Sequence, residues 1–302
     1  MNHQGSPRLG VFDIGSNTIR AMAAVVAPDG ALQVFGDEFK TTALGRGIAE
    51  TRMMPDDSIA DTVDFAAGFL ERHRPLEQVF AVGTAACRDA TNAPRLQEAL
   101  RARCGVDLEV LSGEDEARLT YIGAASTLGD TDAERLLVAD IGGRSMELAV
   151  ERDGVIDGIS LPLGARALTE AYLRDDPPSP AHISAARAHA TEVLLTCADI
   201  ISSARVFVAA GGTACSAALL AGNSWDLGLR EVAGLRRELC AMPLAERRER
   251  LYFDPPRAEV ICGGLIALEL YTTRAPDRRI RISAGGIREG VLIDRSATHL
   301  SR

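Results

Sequence analysis

Residues 10–32 read GVFDIGSNTIRAMAAVVAPDGAL, and residues 137–156 read LVADIGGRSMELAVERDGVI. Each stretch opens on an apolar run ending in an aspartate and an isoleucine, Asp13-Ile14 or Asp140-Ile141. A glycine turn comes next, Gly15-Ser16-Asn17 in the first and Gly142-Gly143-Arg144-Ser145 in the second. A second β-like run follows each turn, then a glycine-containing reversal (Pro28-Asp29-Gly30, Asp153-Gly154), then a third run. One such passage predicts a three-strand meander, and its recurrence predicts an internal duplication. A dinucleotide-binding reading fails here, because its glycines should open a helix and a strand follows each of these turns.

Working outward, helix and strand patterns alternate. Helices are expected over 57–73, 94–103 and 114–125, the last with Ser112 as N-cap, and strands over 79–82 and 108–111. In the second half, helices are expected near 165–173 and 180–201, then a strand over 206–209 and a glycine turn, Gly211-Gly212-Thr213. A helix over 256–272, a strand over 279–283, a turn at Gly285-Gly286 and a helix from Ile287 complete the pattern. The expectation is an α/β protein of two lobes, 1–127 and 128–302, meeting near 127–132, where TLGDTD is small and polar.

The composition agrees. At 302 residues, 46% hydrophobic and 25% charged, the chain can build two cores and is not broadly disordered. Its 33 Lys and Arg against 42 Asp and Glu give a net charge of −9. That argues against a nucleic-acid partner, which needs basic phosphate contacts, and leaves room for a small anion in one local pocket. No apolar run reaches the roughly 18 residues of a membrane span, so no membrane partner is expected. The start shows no export-signal pattern, and six scattered cysteines form no CxxC pair. Reduced thiols and a cytoplasmic location are the expectation.

A strand that ends in a glycine turn aims several backbone N–H groups at one point, which suits a phosphate. Asp13 and Asp140 at the strand ends suit a hard cation, since Mg²⁺ takes one or two carboxylates together with phosphate oxygens and water.

Further motifs follow in order: VGTAACRDATN (82–92), LSGEDEARL (111–119), ADIGGRSMEL (139–148), SLPLGA (160–165), AAGGT (209–213), Arg257-Ala258-Glu259 and SAGGIREG (283–290). With VFDIGSNTIR (11–20), they resemble the exopolyphosphatase and guanosine-pentaphosphate phosphohydrolase (Ppx/GppA) family over 10–290. The resemblance implies two duplicated ribonuclease-H-like (actin-like ATPase) lobes with a central interdomain cleft.

It also implies roles. Glu116 matches the glutamate that activates the attacking water, and Arg88 an arginine that contacts phosphate. Asp13, Asp140 and Glu147 match carboxylates associated with Mg²⁺ or Mn²⁺. Gly15, Ser16, Asn17 and Thr18, and Gly142, Gly143, Arg144 and Ser145, match the two phosphate loops. Gly211, Gly212 and Thr213 match a third loop.

The implied activity is metal-assisted hydrolysis of the terminal phosphoanhydride of inorganic polyphosphate, releasing orthophosphate. Short chains are expected, because the sequence stops soon after GGIREG with no added basic domain. The alternatives are a guanosine pentaphosphate 5′-phosphohydrolase and a catalytically weak protein that binds a phosphorylated ligand and regulates. Dimerisation is common in the family, so a homodimer is a further expectation. Two departures stand out: Arg144 replaces the third glycine of the second loop, and Met146 replaces its usual threonine. An arginine there either adds a phosphate contact or changes the turn, since non-glycine residues resist positive φ. Methionine supplies no hydroxyl donor.

Overall fold

The computed structural model describes residues 7–27, 30–128 and 135–300. The chain forms two compact units, one running to Ser126 and resuming at Gly285, the other spanning Thr127–Ala284.

The first unit opens with the expected meander: β1 (Arg8–Ile14), β2 (Thr18–Val26) and β3 (Leu32–Thr41), all antiparallel. Then come α1 (Ile48–Thr51), α2 (Asp56–His73), β4 (Gln78–Gly83), α3 (Ala85–Asp89), α4 (Ala93–Cys104), β5 (Leu108–Val110) and α5 (Gly113–Ala125). The sheet order is β3-β2-β1-β4-β5, with β4 and β5 added in parallel. Alternation along β1 feeds two cores. Phe12 and Ile14 join Phe69 of α2 and Leu96 and Leu100 of α4, with Phe12 edge-on to Phe69 at 5.6 Å. Leu9 and Val11 join Leu119 of α5 on the other face.

The second unit repeats the opening with β6 (Leu136–Ile141), β7 (Met146–Arg152) and β8 (Val155–Leu161). It continues with α6 (Ala165–Tyr172), α7 (Pro180–Leu195), α8 (Ala198–Ser202), β9 (Val206–Ala210), α9 (Gly211–Leu220), β10 (Asp226–Leu227), α10 (Leu229–Ala241) and α11 (Leu244–Arg250). A 3-10 turn (Pro255–Glu259), α12 (Ile261–Thr272) and β11 (Ile280–Ile282) complete it, in the sheet order β10-β11-β9-β6-β7-β8. The last element, α13 (Ile287–Leu300), follows in the chain. Among the described residues no helix is long and apolar enough to cross a membrane.

Four expectations are corrected. The helix expected over 180–201 is two helices, broken at Cys197, where φ is −112°. The apolar period runs through this break and hides it. The third glycine turn is the first turn of α9, so Gly211 and Gly212 open a helix after all. The helix expected over 256–272 starts as a 3-10 turn, because Pro255 and Pro256 sit at its head. Finally, the second lobe does not run from 128 to 302. Residues from Gly285 return to the first unit, where Ile287, Val291 and Leu292 of α13 close the core of Leu9, Val11 and Leu119. The chain divides at Ser126–Thr127, and residues 129–132 of the expected junction lie outside the described residues.

Tyr271 of α12 ties the second sheet together. Fully buried, its hydroxyl lies 2.9 Å from the Leu137 carbonyl of β6 and 3.1 Å from the Val208 carbonyl of β9. Burial pushes its phenol well above the usual tyrosine range. Tyr271→Phe keeps the ring and removes the donor, so stability should fall by about 1–2 kcal/mol. Equilibrium urea denaturation checks this, and an unchanged midpoint would count against it.

Candidate active site

The two glycine turns are built alike. In the first, the Gly15 N–H donates to the Thr18 carbonyl at 3.1 Å; in the second, Gly142 N–H donates to Ser145 carbonyl at 3.0 Å. The segment after the third strand returns in each unit to hold the turn's carbonyls. Gly45 N–H reaches the Ser16 carbonyl at 2.6 Å, and Thr42 and Ala43 both reach that of Asn17. In the second unit Ala165 holds Gly142, Arg166 and Ala167 hold Gly143, and Gly164 holds Arg144. In a trans peptide the carbonyl and the next N–H point opposite ways. Pinning the Ser16, Gly142, Gly143 and Arg144 carbonyls inward therefore turns the Asn17, Gly143, Arg144 and Ser145 N–H groups the other way. Ser16, Asn17, Thr18 and Ser145 are buried in this framework.

The departures in the second loop are accommodated. Arg144 does not adopt a positive φ, and the turn keeps the hydrogen bond of its counterpart, in which Asn17 holds the same place. Room for the Arg144 backbone comes from Gly164, where a Cβ would lie 2.2–2.4 Å from three Arg144 backbone atoms. Met146 is fully buried in the second core beside Leu148 and Leu161. A side chain there packs, so a hydroxyl is not lost from the turn's open side.

Asp140 and Glu147 are Cα partners across β6 and β7, and Ser160 on β8 continues the row, its hydroxyl donating to Glu147 Oε1 at 2.7 Å. Glu147 is buried and Asp140 is partly exposed. Gly211, at φ +84°, lets Asp140 lie close: a Cβ there would be 2.1 Å from Asp140 Oδ1. Gly212 likewise gives way to the Arg257 guanidinium, which lies 2.2–2.5 Å from where its Cβ would be. Asp254 Oδ2 holds Arg257 Nε at 2.7 Å. Thr213 is buried against Gly264 of α12, which has no side chain to obstruct its hydroxyl. Among the described residues no three His, Cys, Asp or Glu side chains form a metal cluster. A pair of carboxylates nonetheless suits Mg²⁺, which keeps waters and phosphate oxygens in its shell.

In the first unit the fold joins two residues 28 positions apart. Arg88, in the last turn of α3, donates from Nη1 to Glu116 Oε2 at 2.6 Å and to the Leu111 carbonyl at 2.9 Å. Glu116 sits in the first turn of α5, below an N-cap in which the Ser112 hydroxyl accepts from the Asp115 N–H. Ser112 thus caps the helix, its hydroxyl donating in turn to Asp115 Oδ2 at 2.7 Å, while the Glu116 carboxylate is buried and bound by a permanently charged donor. Asp13 continues the Leu9–Val11 face of β1, the face that α5 covers. Beside Arg88, burial pushes the Cys87 thiol up to about 12, so it stays protonated.

Two residues here were not among the expected site residues. Arg20 is the Cα partner of Asp13, the place Glu147 holds opposite Asp140. Aligning the two repeats residue by residue exposes it. Arg257 sits at the Gly212 turn, 45 positions away in the chain, and only its place in a motif hinted at it.

Comparison with known proteins adds the following. The model of the Ppx/GppA phosphatase family matches residues 24–299. Exopolyphosphatase 1 of Mycobacterium tuberculosis is 29% identical over 95% of this chain and 87% of its own. The guanosine-5′-triphosphate,3′-diphosphate pyrophosphatase of Vibrio vulnificus is 30% identical over 95% of this chain and 59% of its own. The solved structure of the Aquifex aeolicus Ppx/GppA enzyme superposes with a TM-score of 0.78, at 27% identity, over 95% of this chain and 99% of its own.

Proposed function

The chain belongs to the Ppx/GppA phosphatase family, and from that premise we propose that it is a phosphoanhydride hydrolase releasing terminal orthophosphate from inorganic polyphosphate. The observation that carries this reading is the buried Glu116 carboxylate, set in the first turn of α5 and joined to Arg88. A carboxylate so held can take one proton from a water. That water's oxygen forms a bond to the terminal phosphorus, the bridging P–O bond breaks, and its electron pair leaves with the shortened chain. Little covalent chemistry is asked of the protein beyond this; positioning and charge neutralisation supply the rest.

Each turn has its part. N–H groups of Gly143, Arg144 and Ser145, and of Asn17, donate to phosphate oxygens, and Arg88 adds charge-assisted hydrogen bonds from a guanidinium with five donors. Arg144 adds a second guanidinium in this reading. Asp140 and Glu147 of the second unit would hold Mg²⁺ or Mn²⁺, and Asp13 is the matching carboxylate of the first repeat. The ion when bound neutralises phosphoryl oxygen charge.

The test is orthophosphate release, with Mg²⁺, from defined short and long polyphosphates and from guanosine pentaphosphate. Release from polyphosphate is the expected result. Release from the nucleotide alone would move the substrate to the second member of the family name, and no release from either would overturn the hydrolase reading.

The support beneath the second turn makes a further prediction. Gly164→Ala places a methyl group inside the Arg144 backbone and must displace that turn. A misplacement near 1 Å can cost about 10²-fold in rate. Orthophosphate release should fall to that extent, while a thermal melt shows the variant folded. Full activity would show that the turn's position does not matter.

A further inference from the structure

The two meanders carry different chemistry across matching rows. In the first unit Asp13 of β1 is the Cα partner of Arg20 on β2, and Arg20 that of Phe39 on β3. In the second, Asp140 of β6 is the partner of Glu147 on β7, and Glu147 that of Ser160 on β8. Residues directly opposite one another share a face of the sheet. The first row thus sets a carboxylate against a guanidinium, and the second sets two carboxylates side by side with a hydroxyl after them. Two adjacent carboxylates suit a divalent cation. The second row is the one whose chemistry fits the ion.

Ser160, which opens the SLPLGA stretch (160–165), is the member of that row without an assigned role. Its hydroxyl donates to Glu147 Oε1 at 2.7 Å. A serine hydroxyl has one proton to give, and here it goes to this carboxylate. A glutamate side chain has large rotamer freedom, which is lost when the group is fixed. The Ser160 bond removes part of that freedom before any ion arrives. Glu147 is buried, whereas Ser160 is partly exposed on β8, the last strand of its sheet. The serine is therefore not a core-filling residue. It also stands four residues before Gly164, and the N–H groups of Gly164, Ala165, Arg166 and Ala167 hold the carbonyls of the second turn. One run, residues 160–167, thus seats the turn and holds the carboxylate that follows it.

We infer that Ser160 is a positioning residue for the metal site, its hydroxyl holding the Glu147 carboxylate ready for Mg²⁺ or Mn²⁺. The inference rests on the assignment of Asp140 and Glu147 to the ion under the proposed function, and its test does not read hydrolysis. The probe is Mn²⁺ alone, titrated into the full chain and followed by the electron paramagnetic resonance signal of the free ion. Ser160→Ala should weaken Mn²⁺ binding by about 10–100-fold, the range for losing a hydrogen bond to a ligating side chain. Ser160→Thr keeps the hydroxyl and suits a strand, so it should restore most of the affinity. If Ser160→Ala does not fold, Ser160→Cys takes its place; a thiol is a weak donor, and binding should again be weakened. Wild-type affinity in the folded alanine or cysteine variant, or equal weakening in the alanine and threonine variants, would overturn the inference. Asp140→Asn separates this inference from the one beneath it. Binding lost in Asp140→Asn yet unchanged in Ser160→Ala removes the role of Ser160 and leaves the metal assignment standing. No Mn²⁺ binding by the wild type, or binding untouched by Asp140→Asn, removes both.

Discussion

Replacing Glu116 by glutamine should slow orthophosphate release by roughly 10²–10⁴-fold, the range a positioned general base supplies. Glutamine keeps the shape and a carbonyl acceptor for Arg88 Nη1, which now lies 2.6 Å from Glu116 Oε2. It cannot take the proton of the attacking water. The loss should therefore appear in kcat, with KM little changed, because the N–H groups of the turns and Arg88 still meet the phosphates. A melting curve must accompany the assay. Removing the carboxylate leaves Arg88 with a weaker partner, though its bond to the Leu111 carbonyl remains. A folded Glu116→Gln protein with wild-type kcat would remove Glu116 as the base. A KM rise with kcat unchanged would recast it as a residue that orients Arg88.

Local pattern made much of this legible in the sequence. The two meanders, their aspartates and their glycine turns could be read because strand alternation and turn residues act over a few positions. The capped start of α5, with Ser112 ahead of Glu116, was visible for the same reason. What could not be read depends on contacts between distant segments. Nothing within either motif says that Arg88 meets Glu116 across 28 residues, or that Gly164 exists to seat the Arg144 backbone. Met146 shows the converse: as a motif position it looked like a lost donor, yet as a strand position its side chain belongs to the core. The return of α13 to the first unit was hidden most completely. Its apolar face, Ile287, Val291 and Leu292, is as compatible with one unit as with the other until the partner surface is known.

That return rests on two glycines, and Gly290→Ala should be among the most destabilising single changes in the chain. A Cβ at Gly290 would lie 1.9 Å from the Leu119 carbonyl oxygen of α5. Reciprocally, a Cβ at Gly123 would lie 1.8 Å from the Gly286 carbonyl oxygen. Both obstacles are backbone, so no side chain can rotate away and the two helices must move apart. Separation loosens the packing of Val291 and Leu292, fully buried against the first sheet. It also strains Arg288, which bonds the Ala21 carbonyl and Asp37 from α13. Overpacking usually costs 1–3 kcal/mol and sometimes more; with backbone on both sides, about 3 kcal/mol or above is expected here. Gly234→Ala is the control. It lies within α10 with nothing inside 4 Å of its Cβ, so it should stabilise by up to about 1 kcal/mol through helix propensity. Paired urea denaturations read the difference. A Gly290→Ala midpoint equal to the wild type would mean that α5 and α13 are not locked at this crossing. Glu116 lies one turn before Leu119 on α5, so any Gly290→Ala protein that still folds should also lose activity, by displacement of the carboxylate. Gly234→Ala should keep its activity in full.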